Sequence, residues 1–195
     1  MMSTNPVTVT THNAGLINAN SSLLLVIDFQ GRLMPVIADG AAVLRNALIL
    51  AQAARSLAIP ALATEQYPIG LGHTAPEIAA LCCENVEKTT FGACGTPAFL
   101  QALYRLAPSG APTLLISGCE AHICVLQTAL QLHAQGYDVR VVVDAVGSRS
   151  AISKHTALER MRAASIGLVT TEMVVFEWLR DSKHMQFRDL SKLIK

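Results

Sequence analysis

A chain of 195 residues fits a single domain, and at that size about 70% of the extended surface can be buried in a sizeable core. Hydrophobic residues make up 51% and charged residues only 15%, below the roughly 25% of a typical globular protein, which excludes disorder, leaves little charge to cover a surface and predicts a homo-oligomer. A net charge of +1 argues against nucleic acid, no apolar run approaches the 18 or more residues of a membrane span, and no signal-like segment opens the chain, so a soluble cytoplasmic protein is expected.

Residues 1–20, rich in Thr and Asn without a sustained period, read as a tail or an arm lying on a neighbour, with one domain over 21–195. Leu23 to Ile27 is a short apolar run ending in Asp28, the pattern of a strand buried on both faces. From Ala41 to Ala58 apolar residues recur at helical spacing, with Arg45 and Arg55 on the other side. Ala61 to Thr64 is a second strand, followed by the turn-rich Gln66-Tyr-Pro-Ile-Gly-Leu-Gly72. Pro76 to Cys83 reads as a short helix, Asn85 to Lys88 as a third strand, and Thr96 to Leu106 as a helix with Thr96 at N-cap and Pro97 at N1. Leu114 to Ser117 is a strand, Gly118 a turn, and Ala121 to Gln135 a helix stopped by Gly136. Val139 to Val143 is the next strand, ending in Asp144, and Lys154 to Ser165 a further helix. Leu168 to Thr170 is a last strand, and Thr171 caps a helix over Glu172 to Leu179. This alternation specifies an α/β fold, a parallel sheet with helices on both faces.

In such sheets ligands bind beyond the carboxyl ends of the strands, which selects Asp28, Lys88 and Cys124, each just past a predicted strand. Cys124 falls in the first turn of its helix, where free N–H groups and the helix dipole lower a thiol pKa and favour a nucleophilic thiolate. A carboxylate can take the thiol proton and return it to a leaving group, and a nearby ammonium favours both charged states. Each residue also has an ordinary explanation: a Cys among Ile123, Val125 and Leu126 is a small core residue, an Asp at a strand end caps a turn, and a Lys before Thr-Thr-Phe is solvated. Composition and period alone do not assign the reaction.

The five cysteines, an odd number lying mostly in apolar segments, predict free thiols, with Cys82 and Cys83 in the core and Cys94 in an exposed loop. Cys119 sits on the strand-to-helix turn and ranks below Cys124. The six histidines include no pair at ligand spacing on one helix, and no glycine-rich phosphate loop is present, so neither metal nor cofactor is expected.

Read together, Leu24-Leu-Val-Ile-Asp28-Phe-Gln30, Glu87-Lys88-Thr-Thr-Phe91 and Ser117-Gly-Cys-Glu-Ala-His-Ile-Cys124-Val, followed by Gln127-Thr-Ala129 and Asp144-Ala-Val-Gly-Ser148, resemble the isochorismatase-like cysteine hydrolases over roughly residues 22–179. The Thr64 to Gly72 segment resembles the isochorismatase-domain-containing branch. The resemblance implies a six-stranded parallel sheet in a three-layer fold, and a catalytic triad of Asp28, Lys88 and Cys124 that cleaves C–N bonds of small amides through a covalent thioester. It also implies a non-proline cis peptide at Cys119-Glu120 and an oxyanion hole from the backbone N–H groups of Glu120 and Cys124. Gln30, Tyr67, Phe91, Glu120 and His122, beside the motifs, are expected to line the substrate pocket. The nicotinamidase branch carries an Asp-x-His-x-His metal site after the second strand; here that stretch reads Glu65-Gln-Tyr-Pro with only His73 downstream. True isochorismatases lack the nucleophilic Cys that this chain keeps. The rival expectation is a non-hydrolytic binding or redox-responsive protein that retains the triad.

Overall fold

The structure, a computed structural model, describes residues 15–110 and 112–194. The first apolar run becomes β1 (Ser22–Ile27), buried at every position because helices cover both of its faces. Five strands join it in parallel: β2 (Ala61–Gln66), β3 (Glu84–Lys88), β4 (Thr113–Cys119), β5 (Asp138–Gly147) and β6 (Gly167–Val169). Their order across the sheet is β3-β2-β1-β4-β5-β6. The winding direction reverses between β1 and β4, which is where sheets of this kind leave a crevice beyond the strand ends.

Among the described residues eight α-helices accompany the strands: α1 (Gly40–Ser56), α2 (Pro68–Leu71), α3 (Pro76–Ala79), α4 (Pro97–Leu106), α5 (Leu126–Ala134) and α6 (Ala151–Ala163) lie between strands, and α7 (Thr171–Leu179) and α8 (Phe187–Ile194) follow the last one. Alternate residues of β1 serve opposite layers. Leu24 and Val26 pack with Leu50 of α1 and Val174 of α7, whereas Leu23, Leu25 and Ile27 pack with Phe99 of α4, Leu132 of α5 and Met161 of α6. Among the described residues no helix is long and apolar enough to cross a membrane.

Several boundaries move for physical reasons. Residues 1–14 of the expected tail lie outside the described residues, but Ile17 is buried: its N–H donates to Glu177 Oε2 (2.7 Å) and its carbonyl accepts from Arg180 (2.8 Å). The helix α3 stops at Ala79, leaving Cys82 half-buried and Cys83 exposed instead of in the core. The strand β5 runs on to Gly147 through a register shift opposite Ile116 and Gly118. Asp144 therefore lies inside the strand, where it accepts from the Thr171 N–H (2.8 Å) and hydroxyl (3.0 Å). Thr170, not Thr171, caps α7, and Ser150 caps α6 three residues ahead of the expected start. The helix α8 escaped the periodicity reading.

Gly118 is required by the approach of β4 to β1. Its φ is +142°, and a Cβ there would stand 2.3 Å from the Ile27 carbonyl oxygen.

Candidate active site

Asp28 follows β1 directly and adopts a left-handed φ of 53°, a conformation that Asp tolerates better than most residues. It is fully buried. Its Oδ1 accepts from the Thr64 hydroxyl (2.7 Å) and its Oδ2 from Lys88 Nζ (2.8 Å). Lys88 closes the edge strand β3 opposite Gln66 in register, so its side chain passes beneath the end of β2 on the face shared by Thr64 and Gln66. The ammonium is saturated there: besides Asp28 it donates to Gln66 Oε1 (2.8 Å) and to the carbonyls of Phe91 (3.2 Å) and Thr90 (3.4 Å).

Cys124 comes from the far side of the switch. After β4 the Cys119-Glu120 peptide is cis, and the chain then enters a π-helical turn, Ala121–Val125, in which the Val125 N–H reaches the Glu120 carbonyl (3.2 Å). The Cys124 sulfur lies 4.0 Å from Gln66 Oε1. Thus the structure brings Asp28, Lys88 and Cys124 into one buried cluster at the carboxyl edge of the sheet.

The electrostatics reverse one expectation. Burial, followed by the Asp28 charge, pushes the Cys124 thiol up to about 12, outweighing the pull of Lys88. The resting group is a thiol and not a dipole-stabilised thiolate, because the sulfur sits in a desolvated interior where a charge is poorly tolerated. Burial also raises the Asp28 carboxyl, with Lys88 opposing the shift. The other buried thiol, Cys119, is likewise pushed up to about 12 by burial and rests 3.8 Å from the Met34 sulfur.

The residues expected to line a pocket separate. Tyr67 borders a cleft of about 480 Å³ with Ile69, Lys88, Thr89, Thr90 and Pro97, and neither Asp28 nor Cys124 is on its wall. Phe91 is 54% exposed, and its carbonyl holds Lys88. His122 faces a different hollow of about 230 Å³ against α6, with Nδ1 3.0 Å from the Ser148 hydroxyl. Glu120 is buried, and its carboxylate accepts from Arg149 (2.8 Å). Gln30 is fully buried: its Oε1 accepts from the Gln66 N–H (2.7 Å), and its Nε2 donates to the carbonyls of Gln66 (3.0 Å) and Gly72 (2.6 Å). Its amide is spent on holding the end of β2.

Sequence reasoning missed Thr64 and Gln66. The available signal was polar residues at alternate positions closing an otherwise apolar strand. On the opposite face of β2, Glu65 accepts from the Thr74 N–H (2.6 Å) and Asn85 (2.9 Å) and pairs with His73 (3.0 Å). Burial would raise the Glu65 carboxyl, but the Thr74 and His73 hydrogen bonds prevail and hold it below the usual carboxylate range. Among the described residues no group of three His, Cys, Asp or Glu is placed to hold a metal ion.

A parallel α/β sheet with a thiol, a carboxylate and an ammonium buried together at its switch point defines the fold of a cysteine-hydrolase family. The family is then explicit: the model of the isochorismatase domain matches residues 22–173, and the chain belongs to the isochorismatase family. It is 39% identical to mouse (Mus musculus) isochorismatase domain-containing protein 2A over 93% of this chain and 86% of that protein. Among solved structures it resembles the MAR1 ribonuclease from Caenorhabditis elegans, with a TM-score of 0.84 and 36% identity over 92% of each chain. It shares its fold with the YcaC gene product of Escherichia coli, an octameric hydrolase of unknown specificity, with a TM-score of 0.81 and 24% identity over 98% of this chain and 97% of that one.

Proposed function

We propose that the protein is a metal-independent cysteine hydrolase that cleaves the C–N bond of a small amide through a thioester on Cys124. The observation that carries this reading is the buried Asp28–Lys88 ion pair (2.8 Å), whose ammonium shares Gln66 Oε1 with the Cys124 sulfur at 2.8 and 4.0 Å. Asp28 takes the thiol proton as the sulfur attacks the carbonyl carbon, so no free thiolate need accumulate in a site that disfavours one. The carbonyl oxygen gains the negative charge and is held by the backbone N–H groups of Glu120 and Cys124. Collapse breaks the C–N bond, and the proton on Asp28 leaves with the amine. Asp28 next takes a proton from water as the oxygen attacks the thioester, and the thiol recovers that proton as the acid departs. Lys88 keeps the carboxylate ionised and in place through both halves.

The cleft beside Lys88 is the entry we assign to the substrate. Its wall carries Thr89, Thr90 and Thr96 and no basic side chain besides Lys88, which suits a neutral amide. Exposed Tyr67, Ile69 and Phe91 around that edge, together with the octameric state of the E. coli relative by fold, support a homo-oligomer. Net charge of +1 gives no support to an RNA substrate of the kind named for the C. elegans protein.

The experiment measures ammonia release from a panel of small primary amides, with short RNA alongside, and records the intact mass of the enzyme during turnover. Wild type should release ammonia and show an acyl adduct on Cys124, Cys124→Ala neither, and Asp28→Asn should be slower by about 10² or more. Undiminished turnover by Cys124→Ala would defeat the mechanism. A protein that turns over no amide would favour a non-hydrolytic binding or redox-responsive role instead.

A further inference from the structure

We infer that Gln66 is a positioning residue for the buried cluster, setting the Lys88 ammonium against both Asp28 and the Cys124 sulfur; this deepens the hydrolase reading and rests on it. The carboxamide has one orientation open to it. Its Nε2 donates to the Thr89 carbonyl at 2.8 Å, which leaves Oε1 to face Lys88 Nζ at 2.8 Å and the Cys124 sulfur at 4.0 Å. The backbone beneath it is held as firmly, since Gln30 accepts from the Gln66 N–H and donates to its carbonyl. One neutral acceptor therefore touches the base's counter-ion and the nucleophile together. Asp28 alone could hold the ammonium by its charge, but Thr90 and Phe91 carbonyls pull on it too, at 3.4 and 3.2 Å. Gln66 is the partner that keeps Nζ on the sulfur's side.

Neutrality is essential to that task. The charged or titratable groups facing Gln66 are Asp28 beyond β1, Lys88 on β3 and Cys124 in the π-helical turn, while Glu65 and Glu87 occupy alternate positions facing the other side of their strands. A carboxylate at position 66 would compete with Asp28 for Lys88 and set a second negative charge beside the sulfur. A neutral carboxylic acid there would reproduce the carboxamide, with its carbonyl accepting from Lys88 and its hydroxyl donating to Thr89.

The test is the rate of Cys124 alkylation by iodoacetamide, read by peptide mass mapping from pH 5 to 9, with exposed Cys83 as internal control. Gln66→Met should slow Cys124 by about tenfold or more relative to wild type at every pH, because the ammonium is no longer held. Gln66→Glu should approach the wild-type rate at the acid end and fall away from it as its carboxyl ionises, a signature that a merely structural role would not produce. Cys83 should react alike in all three proteins. A Gln66→Met protein that alkylates at the wild-type rate, or a Gln66→Glu ratio that stays flat with pH, overturns the inference. If both variants behave as expected while no amide is hydrolysed by wild type, the hydrolase reading alone falls.

Discussion

Replacing Lys88 by Met should make stability fall with rising pH, and the size follows from burial. Lys88 and Asp28 are 2.8 Å apart with neither side chain exposed, and removing one partner of such a pair costs about 3–5 kcal/mol. The variant can escape the full penalty only by keeping Asp28 protonated. From an ordinary value of 3.8, that costs up to about 4 kcal/mol at pH 7 and about 2 kcal/mol at pH 5, at roughly 1.4 kcal/mol per pH unit. The sign is fixed by proton counting: above pH 3.8 the unfolded Asp has released its proton, while the native variant retains it, so the native state binds more protons and loses stability as pH rises. Wild-type Asp28, also raised but opposed by Lys88, contributes a shallower slope of the same sign. Urea unfolding followed by fluorescence of the single, buried Trp178 at pH 5, 6, 7 and 8 measures the gap directly. Adding Asp28→Asn to Lys88→Met should recover most of the loss, because no buried charge then lacks a partner. A gap below about 1 kcal/mol at pH 8, or one that does not widen with pH, would refute the reasoning.

Gly118→Ala should cost at least about 3 kcal/mol, since its Cβ would meet the Ile27 carbonyl at a φ that side chains avoid; a midpoint within 2 °C of wild type in thermal denaturation would count against the close approach. His73→Gln should destabilise most in mildly acid solution. The hydrogen bond and charge of Glu65 raise His73, so its contribution is full below 6.5 and is lost as pH rises through its folded value, while Glu65, held low, contributes above 4.5 and is lost as pH falls through its own. Thermal shift from pH 4 to 9 should therefore show a difference centred between those limits, and a difference largest at pH 9 would contradict the pairing. Under limiting iodoacetamide at pH 8, exposed Cys83 should label ahead of Cys82, Cys119 and Cys124, whose thiols burial pushes up to about 12; peptide mapping that finds Cys124 labelled first would show an ionised resting sulfur.

The central strands β1, β2 and β4 were legible because each contains a short apolar run that gives way to polar residues, and that punctuation also exposed Asp28. What periodicity could not express was the third dimension of the strand ends. Thr64 and Gln66 matter because register places them between Ile27 and Lys88, and no pattern along one strand encodes its neighbour's register. The surroundings of Gln30 were hidden for the same reason: nothing along the Asp28 motif shows that the fold brings the Gln66 backbone to its amide. The end of β5 was lost because Asp144 resembles a strand terminator, whereas it serves Thr171 from within the strand. The α8 helix carries Phe187, Leu190, Leu193 and Ile194 at helical spacing and packs them on the core, so its signal was present in the sequence and was overlooked because the helix is short and follows the last strand.

The misjudged ionisation of Cys124 bears most directly on chemistry. Proximity to a helix start argues for a depressed thiol pKa, but that argument presumes solvent-like surroundings and a regular first turn. Here the turn is π-helical, only 6% of Cys124 is exposed, and the nearest charges are one carboxylate and one ammonium that oppose each other. Desolvation therefore decides, and it acts on both partners in a useful way. The same burial that keeps the sulfur protonated raises Asp28 and makes it a stronger base. A neutral thiol resists indiscriminate alkylation and oxidation. In the mechanism we propose, a carbonyl compound accepts the developing negative charge on its own oxygen, so activation would be tied to the presence of substrate, unlike a site that stores a thiolate at rest.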